Sequence, residues 1–335
     1  MDNHKKPHFC DLIITESCIL KCKMCKMRQI NNEDGLDSGQ WLKFIDSFAN
    51  FVEGKAQIQF VGGEPLLKEG ILDLIRHADK RGLTTTMTTN SFLLNEEFFE
   101  KIMQSGLDTL VLSLDSLKKQ THDFLRGVDG VYDRLMGVIN QFARKKNSPM
   151  RLHIVTTIMQ QNLDGISELA EWVNQHDAIE NISFQAITQP FFTPPDNEWY
   201  KRKEYSFLWP SDLEKVNFVL ERLEDFKEKG YKITNPSGQF RVFKSYFKHP
   251  ELFVKALHCN LGYNSLSVNT QGKIFLCQSM EPIGDIRENK DFEEIWFSEK
   301  AERIRNGMRN CKSNCKSMIN CFFENEEITV TKLNA

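Results

Sequence analysis

The 335-residue sequence has neither a large excess of charge of one sign nor a long apolar run. A net charge of -3 without a basic run argues against nucleic-acid binding, which needs a positive surface. No apolar stretch approaches the ~18 residues of a membrane-spanning helix. The apolar run near the N-terminus is too short for a signal peptide and lacks a cleavage site. We therefore expect a cytoplasmic protein that binds neither nucleic acid nor membrane.

Cysteine is absent from the middle of the chain, and all nine cysteines lie towards its two ends. Their number is odd, and disulfides are unstable in a reducing compartment, so the clustering favours metal binding. Cys10 lies within a predicted strand and is interpreted as a small buried hydrophobic residue. The front group is Cys18, Cys22 and Cys25, and the back group is Cys259, Cys277, Cys311, Cys315 and Cys321.

Strand and helix patterns alternate six times between residues 9 and 188. Repeated βα units predict a parallel sheet with helices outside it, and six of them predict an open (β/α)6 partial TIM barrel. Functional residues of such a fold lie at the C-terminal ends of its strands. The predicted strands are 9–15, 56–61, 83–89, 107–114, 151–159 and 181–187.

Two further segments follow the predicted barrel. Residues 189–258 are rich in proline and aromatic side chains, with Phe191 and Phe192 near the start. We interpret them as a bridging or lid segment that contacts substrate, or as a packing module between barrel and tail. Residues 259–325 contain a predicted hairpin at 263–277 and a predicted helix at 291–308, which together predict a small α+β domain.

The front cysteines are spaced C-x3-C-x2-C, with no fourth cysteine or histidine close behind. Three thiolates can hold three corners of an iron–sulfur cube, which leaves one iron open to a small molecule. Zinc is the alternative, because catalytic zinc sites also use three protein ligands. Spacing alone favours the cluster.

This loop resembles the signature of the radical S-adenosylmethionine (SAM) superfamily. Four further motifs match in order, each near the C-terminal end of a predicted strand or just beyond it: VGGEP at 61–65, TTN at 88–90, LSLDS at 112–116 and LRG at 125–127. The resemblance implies SAM contacts at Met24, Gly62, Gly63, Glu64, Pro65, Thr89, Asn90, Ser113, Asp115 and Arg126.

The resemblance also implies a role for most of these contacts. Gly62, Gly63 and Glu64 present backbone to the methionine amino group, where glycine allows a close approach. Ser113 and Asp115 take the ribose side, and Arg126 takes the SAM carboxylate. Met24 stands where the superfamily often has an aromatic residue, and it can still pack against adenine.

The implied reaction is carried by the cofactors. A reduced 4Fe-4S cluster cleaves SAM to methionine and a 5′-deoxyadenosyl radical, which abstracts hydrogen from a substrate. An electron donor such as flavodoxin or ferredoxin is implied, and no catalytic acid or base is identified. The substrate is a small molecule or a peptide. The alternatives are a ribosomal-peptide (RiPP) maturase and a non-catalytic cysteine-rich metal-binding protein.

The back cysteines resemble the SPASM and twitch extensions of this superfamily, which carry auxiliary iron–sulfur clusters. Five cysteines suffice for one four-cysteine 4Fe-4S cluster, which favours the shorter twitch form. The family's closing C-x2-C motif is C-x3-C in this chain. The ligand set Cys259, Cys277, Cys311 and Cys315 is therefore favoured only slightly over sets that include Cys321. A structural zinc site is the alternative. Because the segment before the first strand is short, we expect neither a cobalamin domain nor a leader-peptide domain, which argues against B12-dependent methylation.

Overall fold

The computed structural model describes residues 5–29, 35–145, 148–190, 193, 196–250, 259–288, 291–311, 315 and 319–321. Phe191 and Phe192, singled out above, lie outside the described residues, as does the expected domain limit at 325. Across the described part of the chain, no helix is both long and apolar enough to cross a membrane.

Six parallel strands pair in chain order and confirm the partial barrel. They are β1 (Phe9–Thr15), β2 (Gln57–Gly62), β3 (Thr84–Thr89), β4 (Thr109–Ser113), β5 (Arg151–Ile158) and β6 (Asn181–Ala186). The helices that connect them are α1 (Ser38–Val52), α2 (Ile71–Lys80), α3 (Glu96–Met103), α4 (Lys119–Arg126), α5 (Val131–Ala143) and α6 (Ile166–Gln175). The sequence analysis missed α4, a short and mostly polar helix.

The two faces of the sheet differ in polarity. Because the strand order follows the chain and crossovers are right-handed, all helices cover one face. Alternate strand residues that point to this face, such as Leu12, Phe60 and Ile154, are buried in the hydrophobic core. The residues between them point to the concave face, and many of them are polar and partly exposed.

The C-terminal segment extends the same sheet rather than forming a separate one. The strand β7 (Ser265–Val268) pairs in parallel with β1, and β8 (Lys273–Phe275) and β9 (Gly284–Asp285) continue antiparallel. The predicted hairpin turn is confirmed, with Gly272 at a φ of +80°.

The helix predicted at 291–308 is wrong as a single helix. This segment forms two helices, α10 (Phe292–Trp296) and α11 (Glu299–Arg309), numbered in chain order. The break follows from Ser298, whose side chain accepts a hydrogen bond from the backbone of Ala301 and so begins a new helix.

Three helices lie between the barrel and the tail strands: α7 (Leu213–Glu228), α8 (Ser237–Lys248) and the short α9 (Leu261–Asn264). The chain between α7 and α8 closes the free edge of β6. Ile182 exchanges backbone hydrogen bonds with Lys232 and Thr234. The Asn235 side chain pairs with the backbone N–H and carbonyl of Phe184, at 2.6 and 2.8 Å.

Asn320, in the C-terminal tail, pairs with the last residue of β6 at the same edge of the sheet. The Asn320 side chain accepts from the backbone N–H of Ala186 at 2.8 Å and donates to its carbonyl at 3.0 Å. The Asn320 carbonyl accepts in turn from the Gln239 side chain. The chain just before Cys321 is thereby fixed at the C-terminal end of β6, on the functional side of the barrel.

Candidate functional site

The cysteine loop, residues 16–26, lies directly against the GGEP turn that follows β2. Gly63 N–H donates to the Thr15 carbonyl and Glu64 N–H to the Ser17 carbonyl, each at 2.8 Å. A Cβ atom on Gly63 would lie 2.2 Å from the Ser17 carbonyl oxygen. Contact between the two chain segments therefore requires glycine at position 63. The predicted SAM contact is a second, separate reason for a glycine there.

On its other side the cysteine loop contacts the C-terminal end of α4. Lys21 N–H donates to the Arg126 carbonyl at 3.1 Å, and Lys23 N–H to the Leu125 carbonyl at 2.9 Å. Gly127 ends the helix at a φ of +71°, and a Cβ there would lie 2.2 Å from the Lys21 carbonyl oxygen. The LRG motif thus holds the loop through its backbone, a role the sequence analysis missed.

The three front cysteines are free thiols, each partly exposed on this loop. The pKa of the Cys22 thiol is raised to about 11, chiefly by burial and to a smaller extent by the charges of Cys25, Cys18 and Asp115, while Arg126 opposes the rise. Burial likewise raises the pKa of Cys18. The three thiols are therefore within electrostatic range of one another.

The side chains of this loop are of the type that holds an iron–sulfur cluster. The loop offers three soft sulfur donors, fixed from two sides, at the C-terminal edge of the sheet, and the Asn90 amide lies 3.8 Å from the Cys18 sulfur. In the described ranges, no three Cys, His, Asp or Glu side chains converge closely enough to hold an ion as they stand. In type and number the donors fit a 4Fe-4S cluster with one open iron.

Glu64 connects the ends of β2 and β3 through a fully buried carboxylate. It accepts hydrogen bonds from the Leu66 N–H at 3.1 Å, the Thr89 hydroxyl at 2.8 Å and the Asn90 N–H at 2.9 Å. Burial outweighs these donors and raises the pKa of Glu64 to about 7. The side chain fixes the relative position of the two predicted SAM-contacting turns.

Ser91 follows these residues, and the sequence analysis did not single it out. It is fully buried at a φ of +68°, which is uncommon for a non-glycine residue. Its hydroxyl has no hydrogen-bond partner among the described residues. A strained backbone with an unsatisfied buried hydroxyl is typical of a ligand contact, but the sequence gives no signal for it.

Asp115 and Arg126, predicted to contact opposite ends of SAM, form a buried ion pair at 2.8 Å. Asp115 also accepts from the Thr157 N–H at 3.2 Å. Burial raises the pKa of Asp115, and the Arg126 guanidinium opposes that rise. Arg126 also lies close enough to Cys22 to stabilise its thiolate. The pair therefore connects the end of β4 to the cysteine loop.

His122 of α4 is a second residue that the sequence analysis missed. It is fully buried, and its Nδ1 accepts from the Asp115 N–H at 3.2 Å. Burial, together with a smaller effect of the nearby Arg126 charge, lowers the pKa of His122 to about 3. The imidazole is therefore neutral near pH 7 and holds the backbone of Asp115 as an acceptor.

The concave face of the barrel is lined mainly by uncharged side chains, with Asp11 and Arg151 as the charged residues of its six described strands. Gln57 donates to Thr86 at 3.0 Å and Gln59 to Thr88 at 2.9 Å. His153 contacts Asn181 and Ser183, and burial lowers its pKa to about 4, so it too is neutral near pH 7. Strand register places Thr109, Ser113, Thr157 and Gln185 on the same face.

The back cysteines lie in the tail. Cys259 and Cys277 pack against the core, and Cys321 is exposed. Burial raises the pKa of Cys277, and the charge of Cys311 adds to this, so the two thiols are within electrostatic range of each other. Cys315 accepts a backbone hydrogen bond from Ile319. Residues 312–314 and 316–318 lie outside the described residues, and the ligand set stays a prediction.

Comparisons with known proteins bear on this arrangement directly. The sequence model of the radical SAM superfamily matches residues 12–173, and that of the SPASM iron-sulfur cluster-binding domain matches residues 259–322. The chain belongs to the radical SAM superfamily. It is therefore an enzyme whose cofactors are a 4Fe-4S cluster and SAM, with auxiliary iron–sulfur binding in the SPASM-like tail. Both family resemblances are confirmed.

Curated relatives have different activities. The chain is 26% identical over 314 residues to the AdoMet-dependent heme synthase of Methanosarcina barkeri, covering 90% of this chain and 85% of the relative. It is 22% identical over 317 residues to the PqqA peptide cyclase of Bradyrhizobium diazoefficiens, covering 91% and 77%. The relatives therefore do not fix the substrate.

Solved structures share the fold. The SAM-bound structure of SuiB from Streptococcus suis aligns with a TM-score of 0.70 at 18% identity, covering 93% of this chain and 73% of that one. The structure of anSMEcpe with AdoMet and the Kp18Cys peptide aligns with a TM-score of 0.67 at 15% identity, covering 97% and 93%.

Proposed function

We propose that this radical SAM enzyme holds its SAM-binding cluster through Cys18, Cys22 and Cys25. The observation that supports this most strongly is the loop itself, which presents three thiols and is fixed from both sides by glycine contacts. When bound and reduced, the cluster supplies the electron that splits SAM into methionine and a 5′-deoxyadenosyl radical, which takes hydrogen from the substrate. The protein orients SAM and excludes water.

Several of the predicted SAM contacts also hold the elements of the site in position. The ion pair of Asp115 and Arg126 fixes the end of β4 against the cysteine loop and lowers the cost of a thiolate at Cys22. Glu64 aligns two turns. We propose Ser91 as a further SAM contact. The other proposed contacts are those implied by the sequence: Met24, Gly62, Gly63, Glu64, Pro65, Thr89, Asn90, Ser113, Asp115 and Arg126.

The proposed organisation has three parts: a radical SAM barrel at 9–188, a bridging or lid segment at 189–258 and a twitch/SPASM-like auxiliary-cluster domain at 259–325. Four of the five back cysteines would hold the auxiliary 4Fe-4S cluster. Cys259, Cys277, Cys311 and Cys315 are the favoured set, with Cys321 as the alternative member. Flavodoxin or ferredoxin would supply the electron.

For the substrate, we propose a small molecule or peptide that presents uncharged amide or hydroxyl groups to the concave face. The support is the chemistry of that face, where glutamine, threonine, asparagine and serine side chains predominate. A tetrapyrrole is a broad apolar ring edged by carboxylates. The cations among the described strand residues of this face are Arg151 and, on the extension of the sheet, Lys273, which is paired with Asp285 at 2.8 Å. Peptide (RiPP) maturation is therefore favoured over haem synthesis.

The proposed reaction is tested by anaerobic reconstitution with iron and sulfide, followed by dithionite and SAM. Formation of 5′-deoxyadenosine supports it, and its absence from a protein that holds iron would favour a non-catalytic metal-binding protein. For the substrate, Fe-coproporphyrin III is compared with short peptides encoded beside the gene. We expect no stimulation by the tetrapyrrole, and a product formed from it would contradict the proposed class.

A further inference from the structure

Exposed apolar side chains gather beside the cysteine loop. Phe124 of α4 is 49% exposed and Phe207 is 39% exposed, and their rings are in edge contact with centroids 6.4 Å apart. Ile19, on the cysteine loop itself, is 38% exposed. Single exposed apolar residues are ordinary, but a group of them in contact marks an interaction surface.

Lysines surround this apolar group. Lys23 lies 5.2 Å from the centre of the Phe124 ring, and Lys26 lies 5.5 Å from the centre of the Tyr205 ring, beside Phe207. Lys21 is exposed. Among the described residues, none of these three lysines forms an ion pair with a carboxylate. Three lysines stand here beside the Glu204 carboxylate, which is hydrogen-bonded to Tyr205, so the surface is locally positive on a chain whose net charge is -3.

The lysines also lie next to the proposed cluster ligands. Lys21 and Lys23 flank Cys22, and Lys26 follows Cys25. The backbone hydrogen bonds to Arg126 and Leu125 hold α4, and with it Phe124, against the loop. A protein that docks here approaches the cluster as closely as the loop permits, which is what electron delivery requires.

We propose that Ile19, Lys21, Lys23, Lys26, Phe124 and Phe207 form the docking patch for an acidic one-electron carrier protein. The inference rests on the proposed function, because the cluster must receive one electron before SAM is cleaved. One electron leaves the reduced carrier and one is gained by the enzyme, with no bond made or broken. Lysines steer an acidic partner, and a few exposed aromatic residues suit the small interface of a transient encounter.

The test reverses charge on the patch in the reconstituted holoenzyme with the variant K21E/K23E/K26E. The matched control, K43E/K55E/K80E, makes the same change in net charge at exposed lysines away from the loop. The probe is a purified flavodoxin, with its dissociation constant measured at several salt concentrations. Carrier-driven and dithionite-driven SAM cleavage are then measured in parallel.

We expect the patch variant to weaken flavodoxin binding by about tenfold or more at low salt and to lose most of the salt dependence. Carrier-driven cleavage should fall with it, while dithionite-driven cleavage and iron content should match the control. The neutral variant K21Q/K23Q/K26Q should lie between the two.

Three results would overturn the docking patch. Flavodoxin affinity equal to that of the control excludes it. Loss of dithionite-driven cleavage means that the lysines act on the cluster instead. A change in substrate KM with flavodoxin binding intact assigns the surface to an acidic substrate. Absence of dithionite-driven cleavage from the wild-type protein is a different result, because it contradicts the proposed function itself.

Discussion

Replacement of Gly127 by alanine should displace the cysteine loop, because helix α4 and the loop touch through this residue. An alanine Cβ would lie 2.2 Å from the carbonyl oxygen of Lys21 and 2.7 Å from its carbonyl carbon. Both are backbone atoms, so no side-chain rotation relieves the overlap, and the loop that carries Cys22 must move. Gly130 offers a matched control. Its φ is +86°, similar to the +71° of Gly127, but no atom lies within 4 Å of its Cβ position.

The expected magnitudes separate backbone strain from overlap. Alanine in the left-handed region costs about 1–2 kcal/mol at either position. Forcing an extra methyl group into a packed contact costs a further ~1–3 kcal/mol, and only Gly127 makes that contact. The free energy of unfolding should therefore fall by about 2–5 kcal/mol in Gly127→Ala and by about 1–2 kcal/mol in Gly130→Ala.

Urea unfolding of the metal-free proteins gives the two free energies, and reconstituted samples give iron content and SAM cleavage. We expect Gly130→Ala to retain cleavage and Gly127→Ala to lose much of it. Equal destabilisation of the two variants, or wild-type cleavage in Gly127→Ala, would show that this contact does not position the loop.

Two further predictions concern His122 and Asn320. Since the pKa of His122 is about 3 in the folded protein and 6.5 for a free imidazole, the unfolded chain binds the extra proton first, and stability falls as pH drops below 6.5. Between pH 7.5 and pH 5 the free energy of unfolding should fall by about 2 kcal/mol through this residue. The variant His122→Asn keeps a hydrogen-bond acceptor but does not titrate, so its free energy of unfolding, measured in urea, should fall by about 2 kcal/mol less than that of the wild type over the same pH range. An equal pH dependence in the two proteins would contradict this prediction. Asn320→Ala should expose the backbone of Ala186 and accelerate its amide hydrogen exchange, whereas the control Asn310→Ala should not; unchanged exchange at Ala186 would show that the edge is closed by other means.

Local pattern was sufficient to predict the barrel. Alternation of apolar residues gave all six strands, and the helical periodicity of segments such as Ser38–Val52 gave most of the connecting helices. The polar helix α4 has little apolar periodicity, so it was missed. The pairing of β7 with β1 joins residues more than 250 positions apart, and no local signal reports such a contact.

The site was predictable in its parts and not in its contacts. Three of the four motifs lie at strand ends, as their order in the sequence implied, whereas LRG lies at the C-terminal end of helix α4. The sequence did not show that Asp115 and Arg126 pair with each other, because that depends on the placement of α4. Nor did it show that the Ser17 carbonyl alone requires glycine at position 63, independently of the proposed SAM contact. The strain at Ser91 is visible only in the backbone angles.

The central claim, that the front loop alone holds the SAM-binding cluster, is tested most directly by the triple variant Cys18→Ala, Cys22→Ala, Cys25→Ala. Iron and 5′-deoxyadenosine are measured on the same anaerobically reconstituted samples. The wild-type protein should hold about eight irons and make 5′-deoxyadenosine, and the variant should keep about four irons and make none, because the back cysteines are proposed to form a separate site. A variant that still makes 5′-deoxyadenosine, or one that holds no iron, would contradict the claim.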